Sequence, residues 1–175
     1  MKLTKFNFNN HLYNNNLNYP KMDSSLLDTL TNFSKHYSFL DPPILLGGGA
    51  MEFYNLRKSG HDLDIMISNR DKENLKNLGY TLNLFGGKTE KDVDATFTNI
   101  LNLHLDLVIS LNQYDYTYFI SKAIPYPDIE NLLVISIEDL LLTKIFAQEY
   151  SNFPKHKEDV RLIIKGIEKK KYPHL

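Results

Sequence analysis

Two segments of the chain alternate aspartate with aliphatic residues, and this pattern restricts the possible folds more than any other feature. Residues 62–67 read Asp-Leu-Asp-Ile-Met-Ile, so a strand here carries Asp62 and Asp64 on one face and only aliphatic side chains on the other. A longer strand, predicted over residues 101–111, places Asn102, His104 and Asp106 on one face and leucines and isoleucine on the other. We expect these strands to pair with their aliphatic faces buried, so that three carboxylates converge.

Converging carboxylates indicate a metal ion. Like charges held close together repel and raise each other's pKa values, and a divalent cation relieves that repulsion. All-oxygen ligands favour Mg²⁺ or Mn²⁺ over Zn²⁺, and the chain has no cysteine to offer a thiolate. The alternative is that both are ordinary half-exposed strands, but aspartate is depleted in strands and here it occurs three times.

Three consecutive glycines, Gly47 to Gly49, precede the first aspartate strand. They lie between a predicted short strand, 44–46, and a predicted short helix from Ala50 to about Arg57. Such a run favours positive φ or the close approach of a ligand, and its backbone amides can reach phosphate oxygens. A tight turn without a ligand is the alternative. The spacing matches neither a P-loop nor a dinucleotide fingerprint, since Leu82 and Phe53 stand where those motifs need glycine.

The remaining pattern predicts an α/β (α+β) protein, a mixed central sheet flanked by helices, with a helical C-terminal end. Residues 1–20 are expected to form an irregular lead-in, followed by a helix that Asp23 to Ser25 cap and that ends near Tyr37. The further predicted elements are a helix over 71–78 with Leu75 and Leu78 inward, strands over 80–85 and 93–98 joined at Gly86-Gly87, a strand or edge segment over 114–120, a loop at Pro125 and Pro127, a strand over 132–135, and helices over 137–150 and 157–167.

Composition sets the class of protein. A chain of 175 residues with 42% hydrophobic and 23% charged residues fits a single domain, 1–175, whose part 136–175 is helical. The net charge of −1 provides no basic field, so nucleic acid is a possible but not a favoured partner. No apolar run reaches the roughly 18 residues that span a bilayer, and the asparagine-rich start resembles neither a signal peptide nor an anchor. We therefore expect a cytoplasmic protein without a membrane partner.

The aspartates and glycines together resemble the nucleotidyltransferase superfamily with the polymerase-beta type of fold. The resemblance rests on Gly47-Gly48, the thirteen residues that follow, Asp62-x-Asp64 and the later Asp106. The local string, which includes Ala50, Arg57 and Ser59, is similar to antibiotic nucleotidyltransferases and to nucleotidyltransferase toxins of abortive-infection systems. A weaker resemblance covers the C-terminal stretch with Lys144 and Asp159, where Glu158 departs from the family's Lys-Asp pair.

The resemblance implies transfer of a nucleoside monophosphate from a nucleoside triphosphate, with ATP expected, to an acceptor hydroxyl, with release of pyrophosphate. The acceptor is a small molecule, a protein or a tRNA. Asp62 and Asp64 would bind Mg²⁺ (or Mn²⁺) and the triphosphate, and Asp106 would complete the catalytic metal site. Gly47, Gly48 and Ser59 would contact the β- and γ-phosphates.

Two cations have alternative interpretations from the residues alone. Arg57 could neutralise a triphosphate or belong to a solvated loop, and Lys144 could reach a phosphate or extend along an apolar helix face towards water. The alternatives to a nucleotidyltransferase are a non-catalytic nucleotide-binding or protein-interaction module on the same fold, and a metal-dependent phosphohydrolase.

Overall fold

The computed structural model describes residues 24–85, 94–98, 100–151 and 153–169. The predicted lead-in at 1–20, the Gly86-Gly87 turn and the end of the chain lie outside these residues. The helices are α1 (Ser24–Ser34), α2 (Gly47–Phe53), α3 (Asn69–Asn77), α4 (Tyr116–Ile120), α5 (Ile137–Tyr150) and α6 (Pro154–Glu168). The strands are β1 (Ile44–Leu45), β2 (Leu63–Met66), β3 (Asn83–Phe85), β4 (Asp94–Phe97), β5 (Leu105–Leu111), β6 (Tyr114–Asp115), β7 (Ile124–Pro125) and β8 (Leu133–Val134).

The strands form one mixed sheet in the order β3-β4-β5-β2-β1-β8-β7, with β6 paired to β5. β2 runs parallel to β5 and antiparallel to β1, and β8 runs parallel to β1. Aliphatic side chains predicted to face the core do so, since Leu63, Ile65, Leu105 and Leu107 are all fully buried. The prediction of a mixed sheet flanked by helices is confirmed. None of the described helices is long and apolar enough to cross a membrane.

The helix after the glycines was predicted in the wrong place. It begins at Gly47, not Ala50, and ends at Phe53, well before Arg57. It ends there because Asn55 adopts a left-handed φ of 53°, with hydrogen bonds from its N–H to the Glu52 carbonyl and from the Leu56 N–H to the Met51 carbonyl. These are the two bonds of a Schellman motif, which asparagine can close because it tolerates this conformation.

The strand with Asp106 is shorter than predicted. β5 starts at Leu105, because residues 100–102 form a 3₁₀ turn and Leu101, Asn102 and His104 have positive φ. The prediction that Asn102 and His104 share a strand face with Asp106 is therefore wrong.

The alternating tyrosines of residues 114–120 do not extend along one strand. β6 covers only two residues, and the Asp115 carboxylate then accepts hydrogen bonds from the N–H groups of Thr117 and Tyr118, which caps α4. The tyrosines consequently point to different partners: the Tyr116 hydroxyl donates to the Pro42 carbonyl, and the Tyr118 hydroxyl donates to Asp139.

Two smaller predictions also need correction. Leu78, expected to face inward beside the buried Leu75, is 60% exposed, because α3 ends at Asn77 and the chain turns away through Gly79 at a φ of +88°. Pro125, expected in a loop, lies in β7 at the edge of the sheet, where a strand tolerates a residue without an N–H. The N-cap of α5 is as predicted, since Ser136 accepts a hydrogen bond from the Asp139 N–H.

Candidate active site

Asp64 and Asp106 lie side by side on neighbouring strands. In the parallel pairing of β2 with β5, Asp64 is the direct partner of Asp106. Each aspartate is the second residue of its strand. β1 borders β2 on the other side, and the N–H of Leu46 donates to the Asp64 carbonyl at 2.9 Å. The end of β1, which leads into Gly47, therefore meets the starts of β2 and β5 at one end of the sheet.

Gly47 is in direct contact with the Asp64 carboxylate. Its φ is +53°, and a Cβ placed on it would lie 1.9 Å from Asp64 Oδ2. Gly49 has a different constraint, because a Cβ there would lie 2.7 Å from Leu45 Cδ1. At Gly48 the nearest atom, the Gly60 nitrogen, would be at an ordinary 3.5 Å. The three glycines therefore serve separate needs, and Gly47 is the one that makes room for an aspartate.

The electrostatics of Asp64 reflect this crowding. Burial of the carboxyl, together with the negative charges of Asp106 and Asp62, raises the pKa of Asp64 to about 6, although Lys144 and Lys155 act in the opposite direction. A raised pKa means that the surroundings of Asp64 supply too little positive charge to stabilise its ionised carboxylate fully. Carboxylate oxygens with this unmet demand for positive charge fit a hard divalent cation such as Mg²⁺, so the residues present suit the metal that the sequence predicts.

Asp62 stands apart from the other two aspartates. Its side chain is 76% exposed, and its Oδ1 lies 3.6 Å from Nδ1 of His104, which is itself 70% exposed. Within the described part of the chain, no group of three or more His, Cys, Asp or Glu side chains is arranged to hold a metal ion as it stands. The structure thus brings Asp64 and Asp106 together and leaves Asp62 at the solvent edge of the same site.

Ser59 and Gly48 lie close together. A Cβ on Gly48 would be 3.7 Å from the Ser59 Cα, so the loop before β2 packs against the glycine turn. The Ser59 hydroxyl and N–H both donate to one carboxylate oxygen of Glu52, a residue that the sequence analysis did not select. The available signal for Glu52 was a lone acid in an otherwise apolar helical segment, 50–54.

Arg57 and Lys144 converge on a second residue outside the predicted site, Asp159 of α6. The Asp159 carboxylate, 1% exposed, accepts hydrogen bonds from Arg57 Nε at 2.6 Å and Nη2 at 2.9 Å, and lies 3.0 Å from Lys144 Nζ. Burial alone would raise the pKa of Asp159, but the hydrogen bond from Arg57 and the charge of Lys144 lower it on balance. Arg57 and Lys144 therefore join the loop, α5 and α6 through one buried carboxylate.

The comparisons with known proteins add no identification. No protein-family model matches the chain, and no curated protein matches it. The features of the chain that bear on its function are the pairing of Asp64 with Asp106, the glycine turn packed on Asp64, and the resemblance of these residues to nucleotidyltransferases.

Proposed function

We propose that this chain has a nucleotidyltransferase fold of the polymerase-beta type and is a metal-dependent nucleotidyltransferase. The observation that carries the proposal is the contact of Gly47 with Asp64, which is paired in register with Asp106. A turn that can bring backbone amides to phosphates lies next to carboxylates that can hold the cation of a metal–triphosphate complex. A merely structural glycine turn has no need to pack against an under-compensated carboxylate.

In the proposed mechanism Asp64 and Asp106 would hold Mg²⁺ or Mn²⁺, and Asp62 would complete the set from the solvent edge. The ion would supply positive charge that offsets the negative charge of the triphosphate. The turn at Gly47 and Gly48 orients the β- and γ-phosphates. The oxygen of the acceptor hydroxyl attacks the α-phosphorus, its proton passes to a carboxylate oxygen of Asp106, and the bond between the α-phosphorus and the bridging oxygen breaks, so that pyrophosphate leaves.

The cations near the site have different roles in this proposal. Arg57 and Lys144 are both held by the Asp159 carboxylate, so their positions are fixed, and of the two only Lys144 acts on the charge of Asp64. Lys144 and Lys155 both favour the ionised form of Asp64, which is the form that binds a cation. ATP remains the expected nucleotide, and the acceptor class remains a hydroxylated small molecule, a protein or a tRNA.

A non-catalytic nucleotide-binding module is the second candidate. The observation that favours it is the outward position of Asp62, whose carboxylate faces His104 and water. If Asp62 does not turn inward when nucleotide binds, only two carboxylates serve the ion, and binding without turnover results.

Magnesium-dependent release of pyrophosphate tests the proposal. Each of the four NTPs is supplied with a clarified cell extract as the source of acceptor, and Asp64→Asn is compared with Asp128→Asn. Asp128 is an exposed residue of the β7–β8 connection, at the end of the sheet opposite to Gly47, and is the matched control.

We expect release by the parent protein and by Asp128→Asn, and none by Asp64→Asn. Tight metal-dependent binding of nucleotide without release would favour the non-catalytic module. Release of inorganic phosphate in place of pyrophosphate would indicate a phosphohydrolase.

A further inference from the structure

Glu52 is a buried carboxylate that lies beside the candidate active site. It belongs to α2, the helix that begins at the glycines, and it is only 4% exposed. Glutamate is rarely buried to this degree unless its charge is paired and hydrogen-bonded. The groups that bind the Glu52 carboxylate therefore indicate its role.

Both oxygens of Glu52 are occupied by one short loop. Oε2 accepts a hydrogen bond from the Ser59 N–H at 3.3 Å and another from the Ser59 hydroxyl. Oε1 pairs with Lys58 Nζ at 3.2 Å, while the Lys58 side chain stays largely in solvent. We name Glu52, Lys58 and Ser59 the Glu52 clamp.

The Glu52 clamp holds the loop against the glycine turn. A Cβ on Gly48 would lie 3.5 Å from the Gly60 nitrogen and 3.7 Å from the Ser59 Cα, so the two backbones are separated by little more than one methyl group. Gly47, next to Gly48, packs on Asp64. Two residues beyond Gly60 the chain reaches Asp62, so the Glu52 clamp connects the glycine helix to the loop that leads into the aspartates.

The contribution of such a carboxylate is chiefly positional. The desolvation of a buried charge roughly offsets the gain from its partners, so a buried ion pair adds little net stability. What it does provide is direction, because an ionised carboxylate accepts several strong hydrogen bonds from donors whose positions it thereby fixes. An apolar side chain at position 52 could fill the space and could not hold Ser59.

We propose that Glu52 is a positioning residue that sets the loop 58–60 against the glycine turn and so shapes the triphosphate site. This inference rests on the proposed function for its ligand. It also changes the role expected of Ser59. The Ser59 hydroxyl donates its proton to Glu52, so we expect Ser59 to fix the position of the loop and not to contact a phosphate itself. Lys58, held in the same loop, keeps its ammonium group open to solvent, where it can face a phosphate.

Glu52→Gln tests this proposal, with Asp71→Asn as the matched control. Asp71 is also a fully buried carboxylate that accepts hydrogen bonds from a hydroxyl and from backbone N–H groups, among them Tyr37 Oη at 2.8 Å and Leu40 N at 2.8 Å. It lies in α3, beyond the end of β2 that is remote from Asp64. We expect Asp71→Asn to lower the stability of the fold without removing any contact of the loop 58–60.

Two measurements separate positioning from general destabilisation. Hydrogen exchange of the Ser59 amide is followed without nucleotide, and the Kd for a non-hydrolysable ATP analogue is measured in the presence of MgCl₂. For Glu52→Gln we expect exchange of Ser59 to be about tenfold faster and Kd to be about tenfold higher, the effect of losing one charge-assisted hydrogen bond. For Asp71→Asn we expect a lower melting temperature with both quantities unchanged.

The outcomes distinguish the two proposals. If the parent protein fails to bind the analogue, the proposed function fails, and the exchange of Ser59 still tests the clamp by itself. If Glu52→Gln leaves both exchange and Kd as they were, or alters them as Asp71→Asn does, the clamp is refuted. If Glu52→Gln does not fold, Ser59→Ala, which removes one donor and keeps the carboxylate, is expected to speed exchange at residues 58–60 in the same way, and no change in that variant would refute the clamp.

Discussion

Replacing Gly47 by alanine tests the site at its most crowded point. The new Cβ would lie 1.9 Å from Asp64 Oδ2, whereas real Cβ contacts are not closer than 3.0 Å, so the two groups must separate by about 1 Å. The Asp64 carboxylate is the group that yields, because it is the end of a side chain and the turn is part of the backbone. The left-handed φ of +53° adds a cost of about 1–2 kcal/mol for a residue with a side chain.

These two effects act on different observables. Displacement of a reacting group by about 1 Å lowers turnover by about 10²-fold, so we expect kcat for the proposed pyrophosphate release to fall by that factor. The free energy of unfolding, measured by urea titration, should fall by about 1–2 kcal/mol, because the φ penalty is paid only in the folded state. The loss of activity is therefore much greater than partial unfolding could cause.

Gly48→Ala is the control for Gly47→Ala. Its Cβ would meet the Gly60 nitrogen at 3.5 Å, an ordinary contact, and the three atoms nearest to it belong to Gly60 and Ser59 and not to a carboxylate. We expect Gly48→Ala to keep the parent's free energy of unfolding, so it controls for the loss of stability in Gly47→Ala. Equal losses of stability in the two glycine variants, or a Gly47→Ala protein with the parent's kcat and stability, would show that the contact with Asp64 does not matter.

Two further predictions concern the buried charges and the tyrosines. Asp159→Asn leaves Arg57 and Lys144 facing a neutral group and should lower the free energy of unfolding by about 3 kcal/mol, measured by urea titration. Glu158, the neighbouring residue, is exposed and paired with Arg161, so Glu158→Gln should leave the free energy of unfolding unchanged. Since the folded-state pKa of Asp159 is lowered, the stabilisation by its charge is present at neutral pH and is lost as the pH falls, so the stability of Asp159→Asn should fall less steeply in acid than that of the parent. An equal loss of stability in Asp159→Asn and Glu158→Gln would contradict the role of the buried carboxylate. Burial, with the charges of Asp41 and Asp71, raises the pKa of Tyr116 to about 12, while an unfolded tyrosine ionises near pH ~10, so stability should fall as the pH rises from about 10 to 12. In thermal melts, the melting temperature of Tyr116→Phe should fall less between about pH 10 and 12 than that of the parent. An equal fall in both proteins would show that Tyr116 does not cause the decline.

The elements that the sequence predicted well are those with a strong local pattern. The aliphatic faces of β2 and β5 and the Ser136 cap of α5 depend on neighbouring residues, and each was found where expected. Of the candidate site, the pairing of Asp64 with Asp106 followed from strand periodicity once the two strands were adjacent.

The predictions that were wrong depend on backbone conformations that apolar spacing does not report. Positive φ values at Asn55 and His104 ended a helix and shortened a strand, and the capping aspartate Asp115 converted a run of alternating tyrosines into a helix. The partners of Arg57 and Ser59 could not be foreseen either, because Asp159 is distant in sequence and Glu52 shares its helical segment with apolar residues.

The parallel pairing of β2 with β5 has a consequence for the order in which the molecule assembles. Parallel neighbours need a long crossover, and here everything from α3 to the 3₁₀ turn lies between them, so Asp64 and Asp106 meet only through a non-local contact, the kind that slows folding. Their mutual repulsion opposes that step. The divalent cation of the proposed function would bind the paired strands and not the separate ones. By mass action it should then stabilise the folded protein, and a rise in melting temperature with MgCl₂ would report that β2 and β5 have paired.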